Sequence, residues 1–530
     1  MSTTNGVGRH GSAADDRGAK TIADPLLLSG AGDAQAPPKQ AEQIVHLVEL
    51  QAELFHDPRG ICYATVRIPL ASGRLVAHTL RLHSRSFCAW VAGAARAAIG
   101  QTVSPRTIDE AVLTLEGLAL YERPQESVHV RVAEHDGAIY FDLGSDTGQC
   151  VMVTGSGWEV IDRAPVRFVR PKGMRPLAVP LSGGSIQELR PFLNVDDDGF
   201  LLSLGWLMAS LKPGLPCPAL GLTGEQGTAK STSARALRKV IDANIAELRS
   251  PPRNEEDLFI AACGSRVVAL DNLSGLTPSL SDALCRLITG GGIGKRALYS
   301  DDDESILEAM RPVILNGIED IADRPDLAER CIVLTLRPIP EGKRRDEKSY
   351  WRAFEAAAPR ILGAILGGLV SALAHIDGIM LESMPRMADF VRWATAAEEG
   401  LGCAPGSIAA AYARNQAIVI VAALDASPIA TALRALLRKK GGRWEGTPDS
   451  LLEALTAFAP SDRGFAKGWP KISNQLTAGL RRVEPALRQI GITVERGSRG
   501  RGITKERWLT IRAKDSRITK RATAMRGKHR

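Results

Sequence analysis

An α/β core, framed by a smaller α+β domain on one side and by helices and a winged helix on the other, is the fold this 530-residue sequence predicts. Three observations predict it. Residues 217–232, CPALGLTGEQGTAKST, run from a short apolar segment into a turn of small residues and then into the helix-compatible ARALRKVIDA. Two further apolar runs, VVALDN (267–272) and VILNG (313–317), are short, do not alternate and end in polar residues, as buried parallel strands do. Before residue 180 the order is strands, helices, strands, whereas after 347 the chain reads as helices until a final hairpin.

Residues 1–41 are poor in aromatics and rich in Gly, Ala, Asp and Pro, the composition of a disordered leader. Residues 42–182 form the α+β domain. CYATVRIPL and GRLVAHTLRL alternate on either side of the turn Ala71–Gly73 and predict a hairpin. Residues 84–100 and 105–118 have helical spacing, and five short strand-like segments follow. His78 and His83 fall on opposite faces at strand spacing, so they read as surface residues and not as a metal pair. Arg167, Arg170 and Lys172 form a small basic group that reads as a nucleic-acid contact or, in preference, as a solvated edge. From Gly183 the pattern turns helical, with a break at DDDG (196–199) before the apolar FLLSLGWLMASL.

The core, within 183–346, is built on the loop Gly224, Glu225, Gln226, Gly227, Thr228, Ala229, Lys230, Ser231, Thr232. Strand, small-residue loop, lysine, hydroxyl and helix in this order make a phosphate-binding loop of the P-loop NTPase kind. Helix N–H groups face the anion, Lys230 reaches the outer phosphates, and the Ser231 hydroxyl helps hold Mg²⁺, so ATP and Mg²⁺ are the expected cofactors. Ala229 stands where glycine is usual and constrains the loop before Lys230. Asn254 caps NEEDLFIAAC, with three acids in its first turn. Asp271 closes its strand where an acid orders the Mg²⁺ shell, and Asn316 closes another, where a polar group can position water or sense the γ-phosphate. TGGGIGKRALYS (289–300) is a glycine-rich turn centred on Lys295 and Arg296. Arg330 ends a short helix before a last strand.

In this order, GEQGTAKST, VVALDN, GGGIGKRAL, VILNG and LAERCIVL resemble the core of superfamily 3 helicases, the AAA+-related group that includes poxvirus-type and satellite-phage-type primase-helicases. The layout is also similar to ATP-binding proteins of bacterial mobile elements. The resemblance implies that Lys230 and Ser231 bind triphosphate and Mg²⁺, that Asp271 is the acid of the second motif, and that Asn316 is the polar sensor. It implies that Arg330 is an arginine finger reaching a neighbouring subunit, hence a homo-oligomeric ring, and that Lys295 and Arg296 line a pore and touch single-stranded DNA. Asn272 departs from the family, because many such ATPases carry a catalytic glutamate there. An amide takes no proton from water, which leaves Glu255, Glu256 or Asp282 to do so, or turnover slow.

Residues 347–440 read as the helical lid of such a core, entered through a break at Pro359, with Phe390 and Trp393 as packing residues. Residues 441–513 read as a winged helix: a capped helix from Thr447, a second helical piece through Val483, a short helix opened by Pro485, and two strands around the basic loop SRGRGITKE. Lys471, Asn474, Gln475, Arg481, Arg499 and Arg501 are its candidate contacts to duplex DNA. Residues 514–530 are a basic tail. Net charge is +8, yet thirteen Lys/Arg against two acids in 496–530 leave the rest of the chain slightly acidic. That asymmetry points to a polyanionic partner.

Eight cysteines lie singly with no CxxC pair, which gives no support to a zinc site or a disulfide framework. The N-terminus has no signal-type apolar core, and the apolar stretch 361–374 is too short for a bilayer, so a cytoplasmic protein without membrane contact is expected. The N-terminal domain shows no acid pair with a histidine motif, so any primase belongs to another chain. The expectation is an ATP-driven, helicase-like DNA motor of mobile-element or phage-type replication. The rival is a DNA-binding regulator with an ATP switch and little turnover. A small-molecule kinase is disfavoured by the hairpin, the Asn316 strand and the DNA-binding end.

Overall fold

The computed structural model describes residues 39–296, 304–317, 324–459, 469–499 and 506–514. Its centre is a sheet of four parallel strands, in the spatial order Val268–Leu273, Val313–Gly317, Ala219–Thr223, Cys331–Thr335. The Ala219–Thr223 and Val313–Gly317 strands are buried at every residue, which is why their sequences show no alternation. The Val313–Gly317 strand lies between the loop strand and the Asp271 strand, with Leu222 beside Asn316 and Leu270 beside Leu315. All four strands therefore deliver their polar C-terminal residues to one edge of the sheet.

The helices Lys230–Ile241, Glu255–Cys263 and Pro278–Thr289 flank this sheet. Asn254 and Thr277 cap the latter two through Asp257 N (2.8 Å) and Leu280 N (3.2 Å). The DDDG stretch is a helix start and not a break: Asp196 accepts from Gly199 N at 2.8 Å and opens the helix Asp197–Ser210, buried on nearly every side. The helix Glu347–His375 runs unbroken through Pro359. The 179–184 backbone docks there, and Leu181 N donates to the Pro359 carbonyl at 2.9 Å, so tertiary contact overrides the proline signal. Trp393 is buried and donates from Nε1 to the Met208 carbonyl at 3.0 Å, the packing role expected of it. The helices Glu347–His375 and Ser407–Ala426 are long and apolar enough by composition to cross a membrane, but each also contributes to the buried core.

The N-terminal region has two halves. The predicted hairpin is present, Cys62–Pro69 against Leu75–Arg81, with Ala52–His56 as a third strand on helices Gln40–Gln51, Arg85–Ile99 and Pro105–Tyr121. A four-stranded antiparallel sheet, Val132–His135 to Gly157–Ile161, follows. Arg167 and Arg170 are not a solvated edge. Arg167 bonds Glu126 (2.7 Å) and Glu53 (2.8 Å), and Arg170 holds the buried Asp142 at 2.6 Å. His78 is half-buried, and desolvation together with Arg170 lowers its pKa; His83 is exposed and bonds Glu116 at 2.9 Å.

In the C-terminal region the order is helix Pro428–Lys439, strand Arg443–Gly446, helix Pro448–Thr456, helix Ser473–Gln489, and the hairpin Ile492–Arg499 with Glu506–Ala513. Ile429, Leu433, Leu436 and Leu437 share one hydrophobic cluster with Trp444, Leu480, Leu487 and Ile511. The helix that the sequence groups with the lid thus packs into the C-terminal unit. Pro485 lies inside a single helix and does not open a second one.

Candidate nucleotide and nucleic-acid sites

The turn after the loop strand depends on two glycines. Gly224 has φ +137°, and a Cβ there would stand 2.5 Å from the Leu336 carbonyl oxygen, while Gly227 has φ +82°. Ala229 has φ +62° and ψ +31°, so the alanine at the glycine position is held in left-handed backbone at the mouth of the helix. That conformation costs about 1–2 kcal/mol for a residue with a Cβ. The Lys230 ammonium donates to the carbonyls of Gly224 and Glu225, both at 2.7 Å, so its charge lies within the loop. Thr228 Oγ1 donates to the Glu225 carbonyl at 2.9 Å, and Asn194 Nδ2 donates to the Thr228 carbonyl at 2.9 Å.

Ser231, Asp271 and Asn316 meet behind the lysine. Ser231 Oγ donates to Asp271 Oδ1 at 3.1 Å, and Asn316 Nδ2 donates to Ser231 Oγ at 2.9 Å and also to Asp271 Oδ1. Asn316 is 2% exposed, and its Oδ1 is a buried acceptor with no partner among the described residues. A buried carbonyl oxygen left unbonded costs about 1–3 kcal/mol, and here it marks a place for a donor from outside the chain. A hydroxyl, a carboxylate and this oxygen form a hard-oxygen donor set of the kind Mg²⁺ and its waters take.

Asn272 follows at a register shift, exposed, with φ +56°. Asparagine tolerates left-handed backbone better than glutamate does, which gives the departure from a catalytic acid a local structural reason. Among the alternative acids, Glu255 pairs with Arg286 at 2.6 Å and Asp282 with Arg324 at 2.8 Å.

The helix after the loop is fixed at its far end by Asp242, 1% exposed. Its carboxylate accepts from the backbone N–H of Arg266 (3.1 Å) and Val267 (3.0 Å) and from Arg131 Nε at 3.3 Å. Arg131 is fully buried, and desolvation lowers its pKa against the opposing pull of Asp242 and Asp142. The sequence gives no sign of this clasp, which joins residues 111 apart.

Arg330 does not join the Lys230 cluster within the chain. It precedes Cys331, which pairs with Ala219 at the start of the parallel loop strand, whereas Thr335 pairs with Thr223 at its end. It stands at the opposite edge of the sheet, about 15 Å of strand away. Its Nη1 donates to the Asp326 carbonyl at 2.7 Å, and its Nε is buried without a partner among the described residues.

Lys295 and Arg296 end the first strand of a β-hairpin, Gly291–Arg296 against Glu304–Ala309, so they climb its side and are not at the centre of a turn. Residues 297–303 lie outside the described residues. Arg481 is exposed on the helix Ser473–Gln489, which Lys471 precedes; Lys471 N donates to Gln475 Oε1 at 2.9 Å. Arg499 lies 4.1 Å over the Trp508 ring and 3.6 Å from Glu445. Arg501 lies outside the described residues. Among the described residues no group of three or more His, Cys, Asp or Glu could hold a metal.

Among solved structures, the chain is similar to the NrS-1 C-terminal region 305–718 in its apo form, at 14% identity over 88% of this chain and 99% of that one, TM-score 0.38. It is also similar to a full-length MCM homologue from Methanopyrus kandleri, at 12% identity over 62% and 87%, TM-score 0.27. No curated protein matches. Family models place residues 186–413 with the actinomycete integrative conjugative element replication proteins, and residues 429–524 with the C-terminal domain of the RepA proteins of those elements.

Proposed function

We propose that this chain is an ATP-hydrolysing, helicase-like DNA motor of conjugative-element replication. The observation that carries the reading is the Ser231–Asp271–Asn316 cluster behind the Lys230 loop, with the buried, unbonded Asn316 Oδ1. Lys230 and the loop N–H groups bind the triphosphate. Ser231 and Asp271 would hold Mg²⁺, which would neutralise charge on the phosphates. Asn316 orients the attacking water through the oxygen that has no partner among the described residues.

Arg330, remote from its own loop, serves a neighbouring subunit's nucleotide, so the working form is a homo-oligomeric ring. The Lys295–Arg296 hairpin contacts single-stranded DNA backbone in the pore. The C-terminal unit, with its order helix, strand, helix, helix, hairpin, acts as a winged helix on duplex DNA through Lys471, Arg481, Arg499 and Arg501. A primase, where one takes part, is a separate chain.

A second reading, a DNA-binding regulator that uses ATP as a switch, is favoured by Asn272 and by the ion-paired Glu255 and Asp282. One assay separates the two: ATP turnover with and without single-stranded DNA, for the wild type and Lys230→Ala. The motor gives DNA-stimulated turnover that the substitution abolishes. Tight ATP binding without turnover in either condition supports the switch and rejects the motor.

A further inference from the structure

We propose that Arg344 is a phosphate-binding residue of the nucleotide site, acting in the same chain as the loop; this rests on the nucleotide reading above. The chain that leaves the strand Cys331–Thr335 runs beside the loop and is fastened to it repeatedly. Leu336 N donates to the Thr223 carbonyl at 2.8 Å. The Leu336 carbonyl lies against Gly224 closely enough to exclude a side chain there. Asn194 Nδ2 bridges the Thr228 and Arg337 carbonyls at 2.9 and 2.6 Å. Farther on, Glu347 bonds Arg235 at 3.0 Å and Glu355 bonds Lys239 at 3.1 Å, both on the helix that follows the loop. The 336–347 connection is therefore a strap fixed at the loop at one end and at the loop's helix at the other.

Arg344 lies on that strap, and its Nη2 is 3.9 Å from where a Cβ on Gly227 would stand. Gly227 is the loop residue that leads toward Lys230, and it carries no side chain between its backbone and the guanidinium. Arg344 is exposed; its backbone N–H donates to the Glu341 carbonyl at 3.3 Å, but its guanidinium makes no hydrogen bond or ion pair among the described residues, whereas that of Arg235 nearby is spent on Glu347. An unspent guanidinium beside a phosphate loop has one matching chemistry. Its planar fork pairs with two phosphate oxygens at once and holds its charge at every relevant pH. With Lys230 inside the loop and Arg344 beside Gly227, two cations of one chain bracket the phosphate chain. Arg330 of a neighbour is then left to act on turnover and not on binding.

The test is equilibrium titration of the full chain with ATP and, separately, with adenosine, in Mg²⁺ buffer. The proteins are the wild type, Lys230→Ala, Arg344→Ala, Arg344→Lys and the strap control Arg345→Ala, with a melting curve for each. Arg344→Ala is expected to weaken ATP about tenfold, the loss of one charge-assisted contact. Adenosine binding stays unchanged, Arg344→Lys keeps part of the affinity, and Arg345→Ala binds as wild type. ATP affinity unchanged in Arg344→Ala overturns the proposal. So does an equal loss for adenosine and ATP, which assigns the arginine to the base. So does an equal loss in Arg345→Ala, which reduces the effect to general charge. Wild-type ATP binding by Lys230→Ala rejects the nucleotide reading itself, and that result is distinct from all three.

Discussion

Replacing Asn316 by alanine separates a working residue from a packing residue, because the structure predicts a small effect on stability and a large one on turnover. The substitution removes two donated bonds. The one to the Asp271 carboxylate is charge-assisted and contributes about 1.5–3 kcal/mol, and the one to the Ser231 hydroxyl contributes about 1 kcal/mol. It also removes the buried, unbonded Oδ1, whose burial costs about 1–3 kcal/mol. Ser231 and Asp271 remain bonded to each other. These terms largely cancel, so Asn316→Ala should unfold within about 1–2 kcal/mol of the wild type. Turnover loses the group that orients the nucleophile, and the fall should be about 10²–10³-fold, the scale seen when one preorganised polar contact is removed. Urea unfolding followed by near-ultraviolet dichroism reads the first quantity and steady-state phosphate release the second. A variant several kcal/mol less stable that still turns over at the wild-type rate would refute the reasoning, since Asn316 would then be a structural bridge only.

Ala229→Gly relieves left-handed strain of about 1–2 kcal/mol and adds unfolded-chain entropy of about 0.4–1 kcal/mol, so a small net rise in melting temperature is expected, read by calorimetry. Arg131→Met leaves Asp242 charged and buried, and should lower the same melting transition by an amount equivalent to about 3–5 kcal/mol. A fragment 427–514 should fold cooperatively, whereas 441–514 should not. The shorter piece discards Ile429, Leu433, Leu436 and Leu437, each contributing about 1.5–3 kcal/mol of burial, and thermal dichroism of the two fragments checks this.

The loop, its three companion strands and the caps at Asn254 and Thr447 are legible because each rests on local chemistry: glycine where φ is positive, an apolar run where both faces are covered, a short polar side chain before a helix. The misreadings share one cause. Pro359 and Pro485 read as punctuation in the sequence, yet both sit inside helices whose packing outweighs one missing N–H. Arg167 and Arg170 look like a basic edge until partners from distant segments, Glu126, Glu53 and Asp142, arrive beside them. The Ser231–Asp271–Asn316 cluster was half legible. Its members end strands or open a helix, but their meeting depends on the Asn316 strand lying between the other two, a matter of strand order that spacing does not encode. Asn194, Asp242 and Arg344 carried no signal, because their importance lies in contacts across long separations.

The central claim is that nucleotide is hydrolysed at a site completed by a second copy of the chain. Mixing Lys230→Ala protein with Arg330→Ala protein tests it most directly, with DNA-stimulated phosphate release as the signal. Each variant alone should be inactive. In an equal mixture that exchanges subunits freely in a closed ring, about a quarter of the interfaces join an intact Lys230 to an intact Arg330, and turnover should reappear on that scale. A mixture as inactive as its parts, with subunit exchange demonstrated, contradicts the shared site, and an Arg330→Ala protein that turns over normally alone contradicts it outright.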